Sequence, residues 1–322
     1  MRVTFRTGYF RVSSSIRMKF LQQSAVLAFL FLLFAFANAQ TLPVDPALGI
    51  KTIPLYDGPP PVPAGQAAAD DIPTLTVFSP QKGHETGGAV IIIPGGAYLG
   101  LASNLEGRQV ADWFTSRGFM AFVLKYRLGE KNLYPIPLLD AQRAVRLVRF
   151  QAKDYGYSPD RIGMVGFSAG GHLAATAGTL SHAATGTSSD QLSDRPDFLV
   201  LGYPWLNAMQ PQQGKEITYC SLLHSTTTAQ CLNFAKQYTP ALHVTISTPT
   251  TFIFSTTDDG VVPVSTCVEF YEAMSKAGAP VEMHLFRHGP HGTGLGRADA
   301  SLDQWPVLLE QWLRDQGLLT KP

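Results

Sequence analysis

The chain has 322 residues, with 25 Lys and Arg against 24 Asp and Glu and 45% hydrophobic residues. Residues 1–39 hold five of the basic residues (Arg2, Arg6, Arg11, Arg17 and Lys19) and no acidic one, so 20 basic face 24 acidic residues in the remainder. That balance argues against nucleic-acid or anionic-membrane binding through net charge. The 283 residues beyond position 39 are enough for one large domain with a single core.

In chain order, Ala25 to Ala37 is an unbroken apolar run, preceded by Arg17 and Lys19 and followed by Ala37-Asn38-Ala39. A charged lead, a short apolar stretch and an A-x-A site predict a secretory signal over residues 1–39, cut before Gln40. The run falls short of the roughly 20 residues that span a bilayer, so no membrane anchor is expected in the mature form. The residue directly after the cut is Gln40 rather than cysteine, which leaves a lipid anchor unsupported, and the long lead points to Met18 as the start. Residues 40–74 are rich in proline and read as an extended arm laid over a domain at residues 75–322.

Within that domain, Leu75–Phe78, Ala89–Ile93, Met120–Tyr126, Ile162–Phe167, Phe198–Tyr203, Thr250–Ser255 and Val281–Phe286 read as strands. Glu106–Ser116, Leu138–Tyr155, Ala169–Leu180, Ser265–Ala277 and Asp303–Gly317 read as helices. Arg143, Arg146 and Arg149 recur at i+3 on the second helix, which predicts a solvated face. Residues 205–248 form a polar, irregular insertion that holds Cys220 and Cys231. In an exported chain these two are expected to pair and leave Cys267 spare, though spacing alone does not fix the pairing. Strands alternating with helices predict a mostly parallel sheet covered on both faces, with ligands beyond the strands' carboxyl ends.

The chemistry collects at those ends. Between Ile162–Phe167 and the Ala-rich helix lies Gly166-Phe167-Ser168-Ala169-Gly170, a G-x-S-x-G turn in its strand-to-helix context. Such a turn lifts one hydroxyl above the sheet, and its glycines let helix and strand approach closely. After Thr250–Ser255 comes Thr256-Thr257-Asp258-Asp259-Gly260, and after Val281–Phe286 comes Arg287-His288-Gly289-Pro290-His291-Gly292. The order Ser, Asp, His is the triad order of the α/β-hydrolases. A serine hydroxyl needs a base within hydrogen-bond reach, an imidazole can take and return the proton, and a carboxylate fixes its tautomer. Only one of Asp258 and Asp259 fills that last role. His291, between Pro290 and Gly292 on a tight loop, is the candidate base.

His284, His288 and His291 with Glu282 offer a competing metal reading. On a strand and loop they would not share one face, unlike an i, i+4 helical pair, so no metal and no cofactor are expected. His172 stands out among the other histidines because it follows the G-x-S-x-G turn directly. The run Ile93-Pro94-Gly95-Gly96-Ala97-Tyr98 ends a strand in small residues whose backbone N–H groups can converge on an oxyanion.

These motifs, with Glu106-Gly107 and Tyr126-Arg127, resemble the secreted esterase branch of the α/β-hydrolases, in particular acetylxylan-esterase-like and bifunctional acetyl/feruloyl esterases. The resemblance implies an α/β-hydrolase fold, Ser168 as nucleophile, His291 as base and Asp258, the first of the double aspartate, as triad acid. It implies Gly96, Ala97 and Ala169 as oxyanion donors. Pro94 and Ala97 depart from the H-G-G-G pattern of lipid esterases, which turns the reading toward carbohydrate esters. Tyr98, Tyr203 and Trp205 follow strand ends and are offered as substrate-lining residues, with core packing as the alternative.

The expected activity is hydrolysis of acetyl, and by extension feruloyl, esters on plant-type polysaccharides by an exported enzyme, periplasmic or extracellular. A serine peptidase of the prolyl-oligopeptidase type would need a large gating domain, for which the proline-rich stretch before Leu75 is unsuited. A non-catalytic binding module would not need the complete Ser, Asp and His set. The acyl group, sugar backbone and oligomeric state are left open by the sequence.

Overall fold

The computed structural model describes residues 50–61, 71–129, 132, 134–207, 233, 235–297, 299 and 301–319. Eight strands form one sheet: β1 (Lys51–Pro54), β2 (Thr74–Phe78), β3 (Ala89–Ile93), β4 (Met120–Lys125), β5 (Ile162–Phe167), β6 (Phe198–Gly202), β7 (Thr250–Thr256) and β8 (Val281–Phe286). Their order is β1-β2-β4-β3-β5-β6-β7-β8. The two pairings of β2, with β1 and with β4, are antiparallel, and the other five are parallel.

Successive side chains of a strand point to opposite faces, and each face carries its own core. Ile91, Ile93, Phe122, Met164, Leu199 and Ile253 pack with apolar residues of α2 (Ile136–Phe150), α4 (Ala169–Thr179) and α5 (Ser265–Ala277). Their neighbours Val90, Ile92, Val123, Val165, Val200 and Phe252 pack with α1 (Gln109–Thr115) and α6 (Trp305–Asp315). Burial on both sides is why β3, β5 and β6 read as continuous apolar runs rather than alternating ones.

Three expectations change. The proline-rich arm contributes an edge strand, β1, with Lys51 opposite Val77 and Pro54 opposite Thr74. Only Ile53 of its four residues is buried, so its sequence carries little strand signal, and Pro54 is tolerated because β1 is an edge. The long second helix divides into α2 and the short α3 (Ala152–Tyr155), which ends on Gly156 in the left-handed conformation.

The arginine stripe of α2 is not a solvated face. Arg143 pairs with Asp190 and donates to Leu55 O. Arg146 pairs with the buried Asp194, and Arg149 with Asp197, so the stripe fastens the segment before β6. Opposite charges 40 to 47 residues beyond α2's end, at Asp190, Asp194 and Asp197, decided this, a relation that helical periodicity does not display.

The expected signal over residues 1–39, Cys220 and Cys231 lie outside the described residues. Cys267 is buried in α5, where burial pushes its thiol up to about 12. Among the described residues no helix is long and apolar enough to cross a membrane.

Candidate active site

Ser168 sits between β5 and α4 with φ 52° and ψ −120°, a conformation unfavourable for a residue with a Cβ. The turn holds it from both sides, its N–H donating to Gly202 O at 3.0 Å and its carbonyl accepting from Trp205 N at 3.1 Å. A Cβ on Gly166 would stand 2.3 Å from Gly170 O, and one on Gly170 would stand 2.1 Å from Ile93 O. The two glycines of the motif are therefore demanded by close approach of strand, helix and the loop after β3.

Ser168 Oγ lies 2.8 Å from His291 Nε2, and His291 Nδ1 lies 2.8 Å from Asp259 Oδ2. The carboxylate accepts from Nδ1–H, which leaves Nε2 as acceptor for the serine proton. Asp259 Oδ1 also accepts the N–H groups of Val261 and Val262, at 2.8 and 2.9 Å. These bonds orient a carboxylate whose side chain is 1% exposed.

The assignment of Asp258 as the partner of His291 is corrected here. Asp258 Oδ2 lies 2.7 Å from His288 Nδ1, and its Oδ1 accepts Gly289 N–H at 2.9 Å, both groups being exposed. The hydrogen bond from His288 holds the Asp258 carboxyl below the usual range. Consecutive side chains past the end of β7 diverge, one outward to the start of the base loop and the next inward to the imidazole. His284 pairs with Glu282, so the three clustered histidines meet three different carboxylates.

The loop after β3 lies against Ser168: a Cβ on Gly95 would stand 2.9 Å from Ser168 Cβ. Gly96, Ala97 and Tyr98 follow with φ of 137°, 55° and 59°. Two consecutive non-glycine residues in the left-handed region need support, and the surrounding structure supplies it. Tyr126 Oη donates to Pro94 O at 3.1 Å, and Gly129 N–H donates to Tyr98 O at 3.0 Å. Tyr98 Oη donates to His172 Nδ1 at 2.8 Å, while His172 Nε2–H donates to Tyr238 O at 2.8 Å. Burial lowers the His172 pKa to about 4, so the ring is neutral and can accept. Ala169, the other proposed donor, is the first residue of α4, where backbone N–H groups face outward from the helix.

Tyr98, Tyr203 and Trp205 are 4%, 3% and 5% exposed, which corrects their assignment as substrate-lining residues. They belong to the packing beneath the site. Tyr203 Oη donates to Glu106 Oε1 at 2.8 Å, and its ring meets the His291 ring at 4.9 Å between centroids.

Glu106 is the residue to which the sequence assigned no role. It lies in a π-helical turn, Ser103–Arg108, is buried, and accepts Gly95 N–H at 2.6 Å. The sequence marked Glu106-Gly107 only as one of the motifs behind the family resemblance, because a lone acidic residue at a helix start is ordinarily read as a cap.

Ser168, His291 and Asp259 thus form one hydrogen-bonded chain at the carboxyl ends of the strands, and comparisons with known proteins point to ester hydrolases. An acetylxylan esterase of Xylanibacter ruminicola is 31% identical over 245 residues, covering 74% of this chain and 48% of that protein. An endo-1,4-β-xylanase B of Butyrivibrio fibrisolvens is 30% identical over 208 residues, 63% of this chain and 32% of that one. The chain thus spans about half or less of the length of these curated relatives. Among solved structures, an acetyl ester-xyloside bifunctional hydrolase from Caldicellulosiruptor lactoaceticus superposes with a TM-score of 0.75 at 33% identity, covering 84% of this chain and 97% of that one. The carboxylesterase Cest-2923 of Lactobacillus plantarum WCFS1, at 24% identity and a TM-score of 0.66 over 85% of this chain and 99% of that one, shares the fold. The model of the BD-FAE family matches residues 75–274, and the chain belongs to that family of α/β-hydrolases.

Proposed function

We propose that the protein is a serine carboxylic-ester hydrolase that removes short acyl groups, acetate first, from hydroxyls of xylan-type polysaccharides. The observation that carries this reading is the continuous relay from Ser168 Oγ through His291 to Asp259, with both links at 2.8 Å. Its position beneath a loop of small residues adds the electrophilic half of the reaction.

Ser168 Oγ attacks the acyl carbonyl as its proton passes to His291 Nε2. Asp259 stabilises the resulting imidazolium and keeps the ring oriented. The carbonyl oxygen becomes an oxyanion, received by the N–H groups of Ala169, Gly96 and Ala97. His291 returns the proton to the departing sugar oxygen, leaving an acyl-Ser168 ester. Water, deprotonated by the same imidazole, then releases the acid and restores the serine.

The substrate class rests on the acetylxylan esterase, the xylanase and the acetyl ester-xyloside hydrolase that the chain resembles. A feruloyl ester is the second acyl group of this reading. Export fits a polymeric substrate and the apolar run at Ala25–Ala37.

The test is acid release from acetylated xylan and from methyl ferulate, with Ser168→Ala as the blank. Acetate from the wild type and none from the variant is the expected result. Turnover of a small activated acetate with silence on xylan would overturn the polysaccharide substrate and keep the triad.

A further inference from the structure

The catalytic reading gives no task to the buried carboxylate of Glu106. Glu106 is 3% exposed, and burial raises its pKa against the hydrogen bonds from Tyr203 and Gly95. A carboxylate in such a place costs stability unless it is paired, and an apolar side chain would pack there without that cost. Its partners are two loops of the site rather than a cation.

Oε2 accepts the N–H of Gly95, the residue that precedes the proposed oxyanion donors. Oε1 accepts Tyr203 O–H, and Tyr203 Oη in turn accepts Gly294 N–H at 2.8 Å. Gly294 lies three residues beyond His291, and its carbonyl is held by Trp305 Nε1–H at 3.2 Å. The turn that carries Glu106 also touches both loops directly. A Cβ on Gly107 would stand 3.4 Å from Pro94 Cγ, and one on Gly294 would stand 2.6 Å from Leu105 O. π-helical turns of this kind are frequent at functional sites.

We propose, resting on the esterase reading above, that Glu106 is a positioning residue for the hydrolysis. Its carboxylate ties the oxyanion loop at Gly95, through Tyr203, to the base loop at Gly294, so that oxyanion donors and imidazole keep a fixed relation to Ser168. Ground-state substrate makes little use of that relation, whereas the tetrahedral intermediate needs both halves at once.

The experiment measures kcat and KM for p-nitrophenyl acetate per reactive serine, counted by stoichiometric titration with a fluorescent phosphonate. Affinity for a trifluoromethyl ketone, which forms the oxyanion on Ser168, and thermal stability are measured alongside. For Glu106→Ala, kcat per titrated serine should fall about 10²-fold with KM nearly constant, the loss typical of a disturbed oxyanion donor. Ketone affinity should fall in parallel. Glu106→Gln should recover most of kcat, because its amide oxygen can still accept Gly95 N–H.

A Glu106→Ala protein that melts lower but keeps kcat per titrated serine and ketone affinity overturns the proposal and leaves a structural role. Should that variant not fold, Tyr203→Phe cuts the same link at its other end, and an unchanged kcat and ketone affinity there overturns it equally. A wild type that neither reacts with the phosphonate nor turns over the ester overturns the esterase reading and this proposal with it. An active wild type with indifferent variants removes the proposal alone.

Discussion

Asp259 and His291 meet through a 2.8 Å hydrogen bond whose carboxylate is almost sealed from water, one residue along the chain from the exposed pairing of Asp258 with His288. Adjacent, chemically identical residues thus hold two histidines in two environments. Only the inner pair connects to Ser168.

The two aspartates separate by substitution. Asp259→Asn keeps the shape but allows the wrong imidazole tautomer, and should lower kcat by about 10⁴, the cost of that change in a serine triad. Asp258→Asn removes an exposed hydrogen bond and should leave kcat nearly unchanged. Steady-state kinetics on p-nitrophenyl acetate decides between them, and the reverse ranking would restore Asp258 as the acid.

A second expectation concerns Gly95. A Cβ there would stand 2.7 Å from Phe167 O and 2.9 Å from both Glu106 Oε2 and Ser168 Cβ, so Gly95→Ala must displace the loop, the nucleophile or both. A loss of about 10²–10³ in kcat is expected, as for removal of an oxyanion donor. Gly260→Ala, where nothing lies within 4 Å, is the matched control and should retain activity. Equal kinetics for the two variants would show that the loop accommodates the methyl group.

Ser168 and His291, and the strands that carry them, were legible because local pattern and chain order suffice for them. β3, β5, α5 and β8 begin and end where their residue patterns place them. What sequence could not display was direction. The choice between Asp258 and Asp259 depends on which way a side chain leaves a turn. The burial of Tyr98, Tyr203 and Trp205 depends on partners contributed by distant elements. Glu106 and Gly95 are eleven residues apart but joined by a bond that arises only because a π-helical turn folds back over the loop.

His172 makes stability depend on pH. Its folded pKa is about 4, below the roughly 6.5 of an exposed imidazole, so between those values the unfolded chain binds the extra proton. The contribution is present in full above pH 6.5 and is lost as pH falls toward 4, by roughly 3 kcal/mol. His172→Gln removes this titration while an amide remains to meet Tyr98 or Tyr238. Urea midpoints at pH 7.5 and 4.5 should therefore fall further for the wild type than for the variant. A drop of equal size in both would assign the acid sensitivity to other groups.

The arginines of α2 offer a test of burial against distance. Arg146 pairs with Asp194, whose side chain is fully buried and also accepts His182 N–H. Lys125 pairs with Asp71 at 2.7 Å, but its side chain is half exposed. Distance alone would rank the two as comparable; burial does not. Arg146→Met leaves the buried Asp194 with the His182 imidazole at 3.1 Å as its remaining side-chain partner and should cost about 3 kcal/mol, the lower end for a broken buried pair. Lys125→Met should cost about 1 kcal/mol or less, because water screens the pair and replaces the partner. The consequence for the site is indirect but physical: Asp194 precedes Asp197, which accepts Ile162 N–H at 2.8 Å and so joins the start of β5 to the segment leading into β6. These two strands end at Phe167 and Gly202, the residues around which Ser168 is held. Loss of the buried pair should therefore lower the unfolding midpoint strongly while kcat per folded molecule persists, and a Lys125→Met protein equally destabilised would show that burial does not set the strength of these pairs.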